Sequence, residues 1–323
     1  MSRLAPTSPV IERGGASAER IDAGELTLAG ELGDWISLLK PRVVFLVVFT
    51  GLVGLLVAPG RLGPLLAGGA VLCIAVGAGA AGAINMWYDR DIDAIMHRTA
   101  HRPIPGGRIS PEATLCYGVV LATLSVLAML SVANVLAAVL LAVSIGFYVF
   151  IYTVWLKRRT PQNIVIGGAA GAFPPLIGWA AVTGSIAALP VLLFAIIFLW
   201  TPPHFWALSL FANEDYRRAG VPMLPVVAGQ KETRRQILGY TIALVPVSLL
   251  PWALQLTGAI YGVSALLLGG GFIWHALRVV RDQQDAEGAS KTRDAPAKAA
   301  FRYSLYYLFL LFMALAVDRL ILG

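Results

Sequence analysis

The sequence has few charged residues, few histidines and few cysteines for its length. Only 13% of its 323 residues are charged, against about 25% in an ordinary soluble domain, whereas 58% are hydrophobic. This balance excludes a soluble globular enzyme. Cys73 and Cys116, the two cysteines, both lie in apolar runs, so the sequence offers neither a disulfide framework nor a Cys-x-x-Cys metal site.

Long apolar runs occupy most of the chain after the first thirty residues, and nine of them are each close to the roughly 20 residues that cross a bilayer as a helix. They span approximately 36–58, 64–88, 112–132, 135–156, 163–183, 189–212, 236–256, 259–280 and 302–322. The sequence therefore predicts an all-α, multi-pass membrane protein with a nine-helix domain over residues 31–323. Residues 1–30 are rich in Ser, Ala, Gly and Pro, which predicts a disordered cytoplasmic tail.

The positive charges are distributed unevenly between the two sides that these spans define. With the N-terminus inside, all of the 25 Lys and Arg residues except Arg61 and Arg319 fall on the cytoplasmic side. This excess predicts a cytoplasmic N-terminus and a periplasmic C-terminus in the bacterial inner membrane. It also accounts for the net charge of +7 without a nucleic-acid partner.

An acidic motif at the end of the second run carries the first candidate chemistry. The segment reads Asn85-Met-Trp-Tyr-Asp89-Arg-Asp-Ile-Asp93. A helix turns about 100° per residue, so Asn85, Asp89 and Asp93 share one face and Asp91 points the other way. Oxygen ligands in this setting suit Mg²⁺, for which water and diphosphate oxygens complete the coordination of one or two ions.

Basic residues follow the acidic motif at once. Arg90, Arg98 and Arg102 all precede Pro103, and guanidinium groups are well matched to phosphate oxygens. A competing interpretation is a solvated helix end whose aspartates pair with these arginines. The helical spacing and the intramembrane position of Asn85 favour a functional site, because polar groups at membrane depth are usually functional.

A second candidate segment begins near the end of the sixth run. His204 and Asp215 are eleven residues apart, so they share a face if the helix continues past Pro203. An isolated histidine at a helix end is more often hydrogen-bonded than a ligand. The shared face with an acidic residue favours a functional pair.

These segments resemble the UbiA-type intramembrane prenyltransferases, and within that family the members that use haem as acceptor. The resemblance covers nearly the whole chain after the tail. It rests on Leu39-Lys-Pro-Arg-Val43, the acidic motif, Arg98-Thr-Ala-His-Arg-Pro103, Leu156-Lys-Arg-Arg-Thr-Pro-Gln-Asn163, Pro202-Pro-His-Phe205 and Gly220-Val-Pro-Met-Leu-Pro225. The acidic motif alone marks only the family, and the other segments together point to these members.

The resemblance implies a helix bundle around a central cavity that opens toward the cytoplasm. It implies that Asn85, Asp89 and Asp93 bind Mg²⁺ and the diphosphate and that Asp215 is a further metal ligand. The implied catalytic residues are Asp89, Asp93, Asp215 and His204. The implied basic contacts to the diphosphate are Lys40, Arg90, Arg98, Arg102, Lys157 and Arg158. The implied haem contacts are His204 first and His275 second. Residues 213–216 depart from the family, since other members place several aspartates there.

The implied reaction transfers a farnesyl group from farnesyl diphosphate to a vinyl group of haem B and adds water. The product is haem O, on the route to haem A for cytochrome oxidase, with haem A synthase as the downstream partner and membrane lipid as the surroundings. Two alternatives stay open, namely prenyl transfer to an aromatic acid or quinone precursor, and a transporter whose acidic residues are coupling sites. The acidic residues gather at cytoplasmic ends and not at the bilayer midplane, which argues against a transporter.

Overall fold

A computed structural model describes residues 30–286 and 288–322 of the chain, so the predicted tail lies outside the described residues except for Gly30. The regular elements in these ranges are helices. They are α1 (Leu32–Leu38), α2 (Pro41–Leu56), α3 (Pro64–Tyr88), α4 (Arg90–Ile95), α5 (Pro111–Val132), α6 (Val135–Gly146) with a π-helical continuation (Phe147–Leu156), α7 (Asn163–Thr183), α8 (Ala188–Phe211), α9 (Asn213–Arg218), α10 (Leu224–Val227), α11 (Gly229–Ala253), α12 (Ala259–Val280) and α13 (Ala295–Leu322).

Most of these helices are transmembrane in length and composition. In the described ranges, eight helical segments are long and apolar enough to cross a membrane, and α1 with α2 forms a ninth that is bent by 53°. The predicted all-α, multi-pass membrane protein is confirmed. The predicted count of nine holds when the bent pair is taken as one span.

The first predicted run, 36–58, differs from the structure because it is not one straight helix. Lys40 separates α1 from α2 and has a left-handed backbone, with φ 52°. Pro41 explains the break, since proline disfavours the right-handed helical conformation in the residue before it. The bend points the Lys40 side chain toward α3, where its Nζ donates to Asn85.

The helices α2 and α7 form the centre of the bundle. Buried apolar residues of both helices join one cluster with α8, α11, α12 and α13, and a second cluster with α3, α5 and α6. The two backbones touch, because a Cβ at Gly54 would overlap the Pro175 carbonyl group and one at Gly178 would overlap the Gly51 oxygen. Small residues permit this approach, which is how helices gain packing energy in lipid.

The polar connections between spans meet at one end of the bundle. The backbone N–H of Arg98, after α4, donates to Asp215 Oδ2 of α9 at 3.4 Å. Arg234, at the start of α11, lies 3.7 Å from Asp282 and 3.6 Å from Asp294, which both belong to the α12–α13 connection. This is the end that the charge distribution predicts to be cytoplasmic, and it carries the acidic motif.

At the opposite end, a carboxylate of α13 caps the start of α12. Asp318 is buried and accepts hydrogen bonds from the backbone N–H groups of Gly258 at 2.5 Å and Tyr261 at 3.2 Å. The first N–H groups of a helix have no partner within the helix, and a carboxylate there also interacts favourably with the helix dipole. Asp318 therefore ties the last two spans together.

Replacing Asp318 with Ala should destabilise the protein by about 1–2 kcal/mol, as the loss of a helix cap does. The measurement is the thermal unfolding midpoint in detergent. Arg319→Ala is the matched control, because Arg319 is the next residue and is exposed. An Asp318→Ala midpoint equal to that of the control would contradict the capping role.

Candidate active site

The acidic motif keeps its helical spacing although the helix is interrupted. Asp89 lies between α3 and α4, yet its N–H donates to the Asn85 oxygen at 2.9 Å and its own carbonyl accepts from Asp93 at 2.8 Å. Asn85, Asp89 and Asp93 are buried, with 4%, 0% and 2% of their surface exposed. Asp91 is 60% exposed in its side chain, so it lies on the opposite side, as the spacing predicts.

The π-helical segment brings a matching pair of side chains to this face. The Thr153 hydroxyl accepts from Asn85 Nδ2 at 3.2 Å and donates to the Tyr148 oxygen at 2.8 Å. Lys157 Nζ donates to Asp89 Oδ2. Thr153 and Lys157 are four residues apart, as are Asn85 and Asp89, so the two segments meet in register. A π-helix within an α-helix is frequently a functional feature.

Two further cations reach the motif from other parts of the chain. Lys40 Nζ donates to Asn85 Oδ1 at 2.7 Å, and Arg102 donates to Asp93 Oδ2 at 2.5 Å. Asn85 Nδ2 also donates to Asp89 Oδ2 at 2.7 Å. Lysine can only donate and a carboxylate can only accept, so these partners fix the orientation of the Asn85 amide.

One buried oxygen of the motif has no hydrogen-bond partner among the described residues. This oxygen is Asp89 Oδ1, and an Arg158 guanidinium nitrogen lies 3.7 Å from it. Among the described residues, no group of three or more His, Cys, Asp or Glu side chains is close enough to hold a metal ion. Mg²⁺ needs fewer, since it is usually held by one or two carboxylates with water and phosphate oxygens. The free Asp89 oxygen beside Asn85 and Asp93 fits such an ion.

The remaining basic residues near the motif have their hydrogen-bond partners outside Asn85, Asp89 and Asp93, although Arg158 also lies 3.7 Å from Asp89. Arg158 donates to both oxygens of Asp91, at 2.8 and 2.6 Å, and these hydrogen bonds hold the pKa of Asp91 below its usual range. Arg90 donates to the Trp87 carbonyl oxygen at 2.7 Å and lies over the Trp87 ring. The predicted set of basic residues therefore divides, with Lys40, Arg102 and Lys157 on the buried face.

In the second candidate segment, Asp215 belongs to a polar cluster that is separate from the acidic motif. Asp215 accepts from the Arg98 backbone at 3.4 Å and from Arg218 at 2.5 Å, and His97 lies 3.3 Å away. Burial acts to raise the pKa of Asp215, but these hydrogen bonds outweigh it and hold the pKa below its usual range. Asp215 and Arg98 line an open cavity of about 520 Å³ between the segment that follows α4, the end of α8 and α9.

His204 and His275, the two histidines implied as haem contacts, lie apart from both clusters. The α8 helix continues through Pro203 as predicted and ends at Phe211, and α9 begins two residues later at Asn213, so His204 and Asp215 lie on successive helices. His204 is buried against α13, between the rings of Trp200 and Phe301. On α12, His275 stacks on Tyr303 with ring centroids 4.5 Å apart, and its buried Nδ1 has no hydrogen-bond partner in the described ranges.

Several residues of the site escaped the sequence analysis. Thr153 and Tyr148 lie in a continuous apolar run, and nothing in its composition separates a π-helix from an α-helix. Arg218 was one basic residue among many. Asn213 is buried, and its Oδ1 has no hydrogen-bond partner in the described ranges. Its position two residues before Asp215 is the one signal in the sequence that could have indicated it.

Comparison with known proteins assigns the chain to a family. A model of the UbiA prenyltransferase family matches residues 47–306, which is most of the chain. The chain belongs to the UbiA prenyltransferase family. The predicted class of enzyme, a prenyltransferase, is thereby confirmed, and the transporter is set aside.

Relatives in this family are similar over nearly their whole length. The chain is 69% identical over 294 residues to the protoheme IX farnesyltransferase of Acidiphilium cryptum, a match that covers 91% of this chain and 93% of that protein. It is 65% identical over 288 residues to the protoheme IX farnesyltransferase of Granulibacter bethesdensis, with coverage of 89% and 91%.

Solved structures share the fold at lower identity. A structure described as that of digeranylgeranylglyceryl phosphate synthase matches with a TM-score of 0.72 at 19% identity, over 89% of this chain and 98% of that one. A UbiA homologue from Archaeoglobus fulgidus bound to DMAPP and Mg²⁺ matches with a TM-score of 0.62 at 16% identity, over 87% and 99%. At these identities the likeness shows that the helical bundle is the UbiA fold.

Replacing Thr153 with Val should lower prenyl-transfer activity about fivefold, because a buried Asn85 N–H loses its acceptor at a cost of roughly 1 kcal/mol. The measurement is the initial rate in detergent, taken once at a saturating and once at a limiting concentration of the prenyl diphosphate. Thr153→Ser keeps the hydroxyl and should retain the rate. Equal rates for the Val and Ser variants would show that the hydroxyl has no part in holding Asn85.

Proposed function

We propose that this chain transfers the farnesyl group of farnesyl diphosphate to a vinyl group of haem B, with addition of water, to give haem O. The observation that carries the proposal is a buried carboxylate pair with a free oxygen on Asp89, surrounded by Lys40, Arg102 and Lys157. This combination suits a magnesium diphosphate. The haem acceptor is supported by identities of 69% and 65% to proteins named protoheme IX farnesyltransferase.

The diphosphate would lie against the acidic motif. Asp89 and Asp93, with the amide oxygen of Asn85, would hold Mg²⁺, which when bound neutralises charge on the leaving diphosphate. Lys40, Lys157 and Arg102 are already at this face, and each can turn from its present side-chain partner to a phosphate oxygen. We propose Arg98 and Arg158 as further contacts to the diphosphate and Asp215 as a further ligand to Mg²⁺; Arg90 points away from the site.

Cleavage of the farnesyl C1–O bond leaves both electrons on the diphosphate and a positive allylic centre. Cations preorganised at the diphosphate end favour this charge separation, and an apolar surrounding keeps water from the allylic centre. Tyr152, Phe205 and Tyr216 belong to an apolar cluster between the two polar loops. Their ring faces are suited to shield a cation there.

The haem vinyl group then forms the new carbon–carbon bond with its π electrons. Water adds to the resulting carbocation and releases one proton, which leaves the hydroxyl of the product. Asp215 is the proposed acceptor of this proton. We also propose that His204, and secondarily His275, contacts the haem.

The cellular setting follows from the same proposal. The enzyme is a multi-pass membrane protein. We propose that it lies in the bacterial inner membrane with its N-terminus in the cytoplasm and its C-terminus in the periplasm, because almost all Lys and Arg residues then face the cytoplasm. Haem O would pass to haem A synthase, and residues 31–323 would form the catalytic domain.

Replacing Asp89 or Asp93 with Asn should reduce farnesyl transfer by at least a hundredfold and leave the protein folded in the membrane. Asp91→Asn is the matched control, because Asp91 belongs to the same motif but is exposed on the opposite side, and it should retain most of the activity. The measurement is turnover with and without a chelator. Full activity of either buried-site variant would disprove the metal assignment.

The acceptor is tested by incubating purified protein with haem B, farnesyl diphosphate and Mg²⁺, followed by mass spectrometry of the extracted haem. The expected product carries one farnesyl and one hydroxyl group and is absent when a chelator is added. A parallel reaction contains a phenolic acid in place of haem. Prenylation of the phenolic acid with unmodified haem would overturn the acceptor and leave the enzyme class intact.

A further inference from the structure

The His204 side chain is surrounded by three aromatic rings. Its ring lies nearly parallel to the Trp200 ring, with centroids 4.3 Å apart, and to the Phe301 ring, with centroids 4.6 Å apart. Phe205 meets it edge-on. The imidazole is therefore enclosed by aromatic rings of both α8 and α13.

Ser304 fixes the protonation pattern of this ring. Its hydroxyl oxygen lies 2.7 Å from His204 Nδ1 and 2.7 Å from the Phe301 carbonyl oxygen. The hydroxyl has one proton, and the carbonyl can only accept. For both contacts to be hydrogen bonds, Ser304 has to donate to Phe301 and accept from a protonated Nδ1 of His204.

Trp200 holds Ser304 in turn. Its indole N–H donates to the Ser304 carbonyl oxygen at 2.8 Å, and both residues are buried. Trp200 and His204 are one turn apart on α8, so two side chains of this helix form hydrogen bonds with a single residue of α13. The Ser304 hydroxyl is thus fixed relative to the imidazole.

These contacts leave the other ring nitrogen free. Nε2 of His204 makes no hydrogen bond in the described ranges, and the residue keeps 8% of its surface exposed. A neutral imidazole with a proton on Nδ1 carries a lone pair on Nε2. Histidines that bind metals commonly donate the other ring N–H to a second group, which sets the orientation of the ring.

We propose that Ser304 is a positioning residue that holds His204 in the Nδ1–H form, so that Nε2 binds the iron of the haem acceptor. The inference rests on the proposed haem substrate.

The test is a titration of the purified, full-length protein with ferric haem B in detergent, without farnesyl diphosphate. The readouts are the dissociation constant, the Soret band and the electron paramagnetic resonance spectrum. The wild type should give a histidine-ligated spectrum that His204→Ala abolishes. Ser304→Ala should weaken binding about tenfold or more, as loss of the group behind a metal-binding histidine does, and Ser304→Thr should restore it.

Ser209→Ala is the matched control, because Ser209 is a buried serine of α8 whose hydroxyl donates to the Trp206 oxygen. It should bind haem as the wild type does. Ser304→Cys keeps a side chain of similar size with a weak acceptor, so it should resemble Ser304→Ala even if the Ala variant fails to fold.

Wild-type spectra and affinity in Ser304→Ala or Ser304→Cys, or an unchanged spectrum in His204→Ala, would overturn the inference. The proposed function has a separate readout, which is the mass of the extracted haem after the full reaction. Conversion of haem B to haem O with unchanged Ser304→Ala spectra defeats only the inference. Unmodified haem with the expected spectral changes defeats only the proposed reaction.

Discussion

Two carboxylates are buried at the end of a membrane-spanning helix, and the placement of the cationic side chains around them depends on this burial. A buried charge without a partner costs several kcal/mol, and removal of one member of a buried ion pair typically destabilises a protein by about 3–5 kcal/mol. Asp89 and Asp93 are fully buried, so cations have to reach them from other segments. Lys157 and Arg102 are those cations, and Lys40 holds the adjoining Asn85.

Each cation is delivered by an irregular piece of backbone. Lys40 stands at the bend between α1 and α2, Lys157 follows the π-helical segment, and Arg102 belongs to the connection after α4. A regular helix would project its side chains along one fixed spiral. The departures from regularity turn three separate parts of the chain toward the buried face of the acidic motif, which is how a bundle of nearly apolar helices builds a polar site.

The sequence was sufficient for features that depend on local periodicity. Apolar runs located the spans, and helical spacing placed Asn85, Asp89 and Asp93 together with Asp91 opposite. It failed where backbone geometry departs from a straight α-helix, as at Lys40 and in the π-helical segment. Contacts such as Ser304 with His204 depend on how distant helices pack, and no local pattern encodes them.

The backbone contact between α2 and α7 has a consequence for biosynthesis. The close approaches at Gly54 and Gly178 join the first span to one that enters the membrane four spans later. Until α7 has been synthesised, α2 lacks the surface that fixes its depth and tilt, and with them the position of Lys40. The acidic motif is therefore synthesised early, but its surroundings are complete only after α7. Until then, the nascent chain contains the two aspartates without the packing that keeps Lys40 in place.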